Sequence, residues 1–78
     1  MDADLADDLE IACLDALRGD PPGPHVAARL QRACLDVLRA RGIGGARVEA
    51  RSDGRGTAVT ILLPIEGRRV ERVVLRLA

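Results

Sequence analysis

The sequence contains no Phe, Tyr or Trp. Its core must therefore be built from Leu, Val, Ile and Ala, and it offers no aromatic face on which a nucleic-acid base could stack. Lysine and asparagine are absent too, so all 12 basic residues are arginine. Neutral hydrogen-bonding side chains are scarce: apart from His25 and two cysteines there are only Gln31, Ser52, Thr57 and Thr60. That leaves little material for a polar catalytic constellation. No apolar run approaches the roughly 20 residues of a bilayer-crossing helix. The N-terminus has no basic segment followed by an apolar stretch, so no export signal is read there. The expected setting is cytoplasmic, with both cysteines reduced, and no membrane partner.

What is present points to one small folded unit spanning residues 1–78. At 47% hydrophobic the chain is too apolar to remain disordered. A chain of 78 residues buries only about 60–65% of its unfolded surface, so its stability is marginal and association is a common remedy. Formal net charge is zero, but the charges are segregated. Residues 1–17 hold six acids (Asp2, Asp4, Asp7, Asp8, Glu10, Asp15) and no base, whereas residues 39–78 hold nine arginines against four acids. Carboxylates at the start of a helix interact favourably with its dipole, which accounts for the acidic cluster in structural terms.

The hydrophobic rhythm changes once. Leu5, Leu9, Ala12, Cys13, Ala16 and Leu17 recur at helical spacing and predict a helix over 4–18, with Asp4 as N-cap and Gly19 as stop. Asp20-Pro21-Pro22-Gly23-Pro24 is a rigid connector. Pro24 opens a second helix over 24–41, whose stripe is Val26, Leu30, Ala33, Cys34, Val37 and Leu38 and whose end is Gly42. From Gly44 onward the period is two. Strands are predicted over 46–52, 57–63 and 70–77, joined by turns at Ser52–Gly56 and Glu66-Gly67-Arg68. Val59, Ile61 and Leu63 face one way on the central strand, which ends or bulges at Pro64 because proline cannot donate a ladder hydrogen bond.

The expected fold class is α+β: a two-layer α-α-β-β-β arrangement, with a helical hairpin packed on a three-stranded antiparallel meander. The opposite sheet face then carries Arg47, Glu49, Arg51, Thr60, Leu62, Arg72, Val74 and Arg76. The last strand forms an uncovered edge, which invites pairing.

Catalytic, metal and cofactor sites are not expected. His25 sits at a helix start, away from both cysteines, in no zinc-binding pattern. No base stands beside Ser52 or Thr57, and turn chemistry accounts for Ser52-Asp53-Gly54. In a hairpin folded about Pro22, Cys13 faces Leu30. Cys34 is then offset by about 6 Å along the axis, to which an interhelical distance of about 8–10 Å adds. The sum exceeds the Cα span of a disulfide, about 7 Å at most, so two buried, inert thiols are expected.

One stretch, residues 44–64, runs Gly-Gly-Ala-Arg-Val-Glu-Ala-Arg-Ser-Asp-Gly-Arg-Gly-Thr-Ala-Val-Thr-Ile-Leu-Leu-Pro. With the helix before it, covering about residues 24–65, it resembles the closing helix and hairpin of histidine-kinase-type ATPase domains. That family ends with a helix, a Gly-Gly turn, a strand, a Ser-x-x-Gly-x-Gly-Thr hairpin and a strand finishing in Leu-Pro. The resemblance implies that Thr57 lies near a nucleotide. The family's asparagine-bearing magnesium helix and its Asp-x-Gly-x-Gly box are both missing from this chain.

The leading functional expectation is a non-catalytic protein-interaction module that assembles with itself or with a larger protein complex. Its docking residues would be Arg47, Arg51, Leu62, Arg72, Val74 and Arg76. Size and topology suit a small structural subunit of a phage tail or secretion-type apparatus. One alternative is a degenerate nucleotide-related regulator on the kinase-type ATPase fold. A second is arginine-mediated nucleic-acid binding, which zero net charge and the missing aromatics disfavour.

Overall fold

The apolar stripes fold as two helices followed by an antiparallel sheet. The computed structural model describes residues 3–18, 21, 23–64 and 69–77. Helix α1 spans Ala3–Leu17 and buries Leu5, Leu9 and Cys13, one residue per turn. It begins one residue earlier than the spacing suggested. Asp4 therefore lies inside the first turn and is not the N-cap, although its carboxylate still faces the positive end of the helix.

Helix α2 spans Pro24–Ala40 and buries Val26, Leu30, Cys34 and Leu38. Pro24 fills the first helical position, where no amide donor is required. Gly23 precedes it in an extended conformation and supplies no side-chain cap. At the far end, Gly42 adopts a φ of 74°. Its amide bonds to the Arg39 carbonyl and the Ile43 amide to the Leu38 carbonyl, both at 2.9 Å. This is a Schellman ending, and it turns the chain toward the sheet with Ile43 against the core.

Strands β1 (Arg47–Asp53), β2 (Gly56–Pro64) and β3 (Val70–Arg76) form an antiparallel meander with β2 central. The fold is thus the α-α-β-β-β arrangement expected from the sequence. Val48, Val59, Ile61 and Leu63 point inward and join the buried residues of both helices in one cluster. The inward residues of β3, Val73 and Leu75, are only half-buried, and so is Leu77 just beyond the strand. The Leu77 amide nevertheless continues the ladder to the Thr57 carbonyl at 2.9 Å. At the other edge, the Gln31 amide donates to the Val48 carbonyl at 3.0 Å, tying α2 to β1. Burying each of the large aliphatic side chains stabilises the fold by about 1.5–3 kcal/mol.

Two expectations need correction. The first turn is shorter than Ser52–Gly56: β1 runs through Asp53 and β2 restarts at Gly56, leaving Gly54-Arg55 as the loop. Asp53 caps it by accepting a 2.8 Å bond from the Arg55 amide, and Gly56 takes a φ of 135°, where a side chain would be strained. The helical register is also different. Cys13 lies beside Cys34, not Leu30, as their Sγ–Sγ distance of 3.3 Å requires. The shift is one helical turn. Such a shift keeps the same stripe facing inward, so apolar spacing alone does not determine it. The Gly19 stop, connector residues Asp20 and Pro22, and the Glu66-Gly67-Arg68 turn lie outside the described residues.

Candidate functional site

Antiparallel pairing sorts alternate residues onto opposite faces. Arg47, Arg51, Leu62, Arg72, Val74 and Arg76 consequently all fall on the sheet face away from the buried core. The register arranges that face as a grid of three rows. Arg47, Leu62 and Arg72 form the first, Glu49, Thr60 and Val74 the second, and Arg51, Ala58 and Arg76 the third. Four guanidinium groups thus mark the corners, a half-buried column of Leu62, Thr60 and Ala58 runs down the centre, and Glu49 and Val74 sit on opposite margins. Outer rows four residues apart along a strand are separated by about 13 Å.

Arg51 makes a long, exposed ion pair with Asp53 at 3.8 Å, which contributes little. Among the described residues, Arg47, Arg72 and Arg76 have no ion-pair partner. A shallow depression of about 660 Å³ opens over most of this face, lined in part by Glu49, Arg51, Thr60, Arg72, Val74 and Arg76. Arg47 and Leu62 lie beyond its rim. Val74 is 47% exposed and Val70, at the start of β3, 59%. The sheet face is therefore basic at its corners, with apolar Leu62, Ala58 and Val74 between them interrupted by Thr60 and the acidic Glu49.

A second uncovered surface was not singled out by the apolar spacing. On α1, Ile11 is 65% exposed and Leu14 51%, although both are large aliphatic residues. Asp7 and Asp15 share their helix face, since all four positions lie within about a quarter-turn of Ile11 at 3.6 residues per turn. Asp15 is paired with Arg18 at 3.6 Å, in an exposed i,i+3 contact. Asp8, as far round the helix from Ile11 as Leu14 but on the other side, is engaged by Arg41. The signal was present in the sequence as two bulky aliphatic residues off the buried stripe.

Two of the three hydroxyl residues occupy the other side of the sheet. Ser52 and Thr57 are paired residues of β1 and β2, both buried, with their oxygens 3.0 Å apart. The Gly23 amide donates to Ser52 Oγ at 3.3 Å, which fastens the start of α2 to the hairpin. Both hydroxyls are thus committed to internal hydrogen bonds. His25, the sole histidine, is exposed at the start of α2. Among the described residues no group of three potential metal ligands converges, and no helix is long and apolar enough to cross a membrane.

Cys13 and Cys34 meet inside the helical pair, each 0% exposed and each a free thiol. Hydrogen bonding with Cys13, reinforced by burial, pushes the Cys34 thiol far above its ordinary pKa. The same hydrogen bond, in which either thiol can donate, lowers that of Cys13. The thiols are buried and free as expected, but the one-turn register shift brings them into contact where the spacing had placed them out of reach.

Comparison with protein-family models, with curated proteins and with solved structures finds no match to this chain.

Proposed function

We propose that the chain is a non-catalytic assembly module whose outer sheet face docks an acidic, partly apolar protein surface, and that the occupant is helix α1 of a second copy. The observation that carries this reading is the segregation of opposite charge onto two uncovered, half-apolar surfaces of the same chain. Arginines frame Leu62 and Val74 on the sheet, while Asp7 and Asp15 flank Ile11 and Leu14 on α1.

The dimensions also agree. Asp7 and Asp15 are eight residues apart, about 12 Å along a helix, close to the roughly 13 Å between the outer arginine rows. A helix laid along the strands sets its acids near both rows and its two aliphatic side chains over the centre. Complementary charge selects and orients partners, while the apolar centre supplies most of the affinity. A specific contact of ordinary size needs about 800 Å² per partner, a modest share of the chain's 5332 Å² surface.

This contact is heterologous, because the helix of one copy meets the sheet of the next. Repeated head to tail, it builds a ring or a filament. That behaviour suits a small structural subunit of a larger apparatus.

Light scattering and sedimentation over a range of concentration and salt test the reading. The wild type is expected to grow beyond the monomer at low salt and to dissociate as salt screens the corners. Arg72→Glu/Arg76→Glu and Ile11→Asp/Leu14→Asp should each stay monomeric with unchanged far-ultraviolet circular dichroism. A wild-type chain that remains a monomer at millimolar concentration and low salt refutes the proposal.

A further inference from the structure

We infer that Cys13 and Cys34 form a dithiol that closes into an intramolecular disulfide, an oxidative clamp between α1 and α2. Their sulfurs are already 3.3 Å apart, against about 2.05 Å in a disulfide, so rotation of the two side chains and a small approach of the helices complete the bond. Both residues lie within regular helices that share one core cluster, so the approach is held in place by Leu5, Leu9, Leu30 and Leu38.

Access is the remaining requirement, since neither sulfur touches solvent. Helix α1 supplies it. Its close backbone neighbour is α2, and it contributes only three buried side chains, one of them Cys13. An element with so few buried contacts opens locally more readily than the central strand. Opening exposes Cys13, and reclosure brings Cys34 back against it.

The chemistry balances with a small disulfide such as oxidised glutathione as oxidant. Cys13 thiolate attacks one sulfur of the reagent and releases the first glutathione thiolate, leaving a mixed disulfide. Cys34 thiolate then attacks Cys13 Sγ and releases the second. The protein loses two electrons and two protons; the reagent gains both and leaves as two thiols. Cys13 is the first nucleophile because it rides on α1, the helix whose local opening exposes it. The inference is independent of the docking role of the outer sheet face.

The test uses wild-type protein, fully reduced and then incubated with oxidised glutathione, alone and in mild urea. Intact mass, non-reducing peptide mapping and thermal melting are read together. The expected product is a monomer lighter by the two hydrogens lost, with a single cross-link between the Cys13 and Cys34 peptides. Its melting temperature should exceed that of the reduced protein by about 10–20 °C, since the closed loop spans 21 positions. Urea should speed closure by favouring the open form. Persistent glutathione adducts, cross-linked dimers, or thiols that stay free even in mild urea would each overturn the inference. So would a cross-linked monomer that melts below the reduced form.

Discussion

Replacing Thr57 by Val removes one hydroxyl at almost constant volume. Ser52 Oγ then keeps the Gly23 amide as donor but loses its other partner, which lies 3.0 Å away in the wild type. The expected cost is about 1–2 kcal/mol. Ser52→Ala is worse, because it strands two groups at once, the Gly23 amide and the Thr57 hydroxyl, inside a nearly closed site. Its expected cost is about 2–3 kcal/mol. The double variant no longer contains the stranded Thr57 hydroxyl. It should therefore be less destabilised than the sum of the single changes by about 1 kcal/mol. Urea titration followed by circular dichroism measures all three, with m-values checked for constancy. A chain of this size is stable by only about 4–12 kcal/mol, so each step is readable. Strictly additive single costs would refute the coupled internal role of Ser52 and Thr57. Costs near zero would show that the two hydroxyls are not buried together.

Two further expectations follow from the folded chain. Gly42→Ala forces a φ of 74° on a residue with a side chain, although nothing lies within 4 Å of the new methyl group. It should cost about 1–2 kcal/mol, while Gly44→Ala, equally open and not in that conformation, should be near neutral in the same titration. On α1, Leu9→Ala should cost about 2–5 kcal/mol because Leu9 is fully buried. Leu14→Ala should stay within about 0.5 kcal/mol yet weaken association at low salt, and equal losses from both would contradict the assignment of faces.

The fold was legible because the sequence is periodic and locally consistent. Leu5-Leu9-Cys13 and Val26-Leu30-Cys34-Leu38 repeat at one helical turn, and Val59-Ile61-Leu63 alternate at two residues. That Arg47, Arg51, Leu62, Arg72, Val74 and Arg76 share one face was legible for the same reason, since it follows from strand parity alone. Their row-by-row arrangement needed the register, which depends on a short loop of two residues. Ser52 was placed both at the end of the first strand and in the turn, and its buried hydrogen-bonding role was missed because a turn-forming composition outweighed its parity with Val48 and Ala50. The cysteine contact was hidden for a different reason. Sliding one helix past the other by a full turn presents the same stripe, so spacing could not choose between Leu30 and Cys34 as the neighbour of Cys13.

The most direct measurement mixes the two interface variants. Arg72→Glu/Arg76→Glu keeps a native α1 and loses its sheet site; Ile11→Asp/Leu14→Asp keeps a native sheet site and loses its helix. Each should be monomeric alone, and the mixture should form a 1:1 pair of twice the 8.3 kDa chain mass and nothing larger, because only one junction remains possible. A mixture that stays monomeric while the wild type assembles, or one that grows without limit, would contradict helix-on-sheet docking.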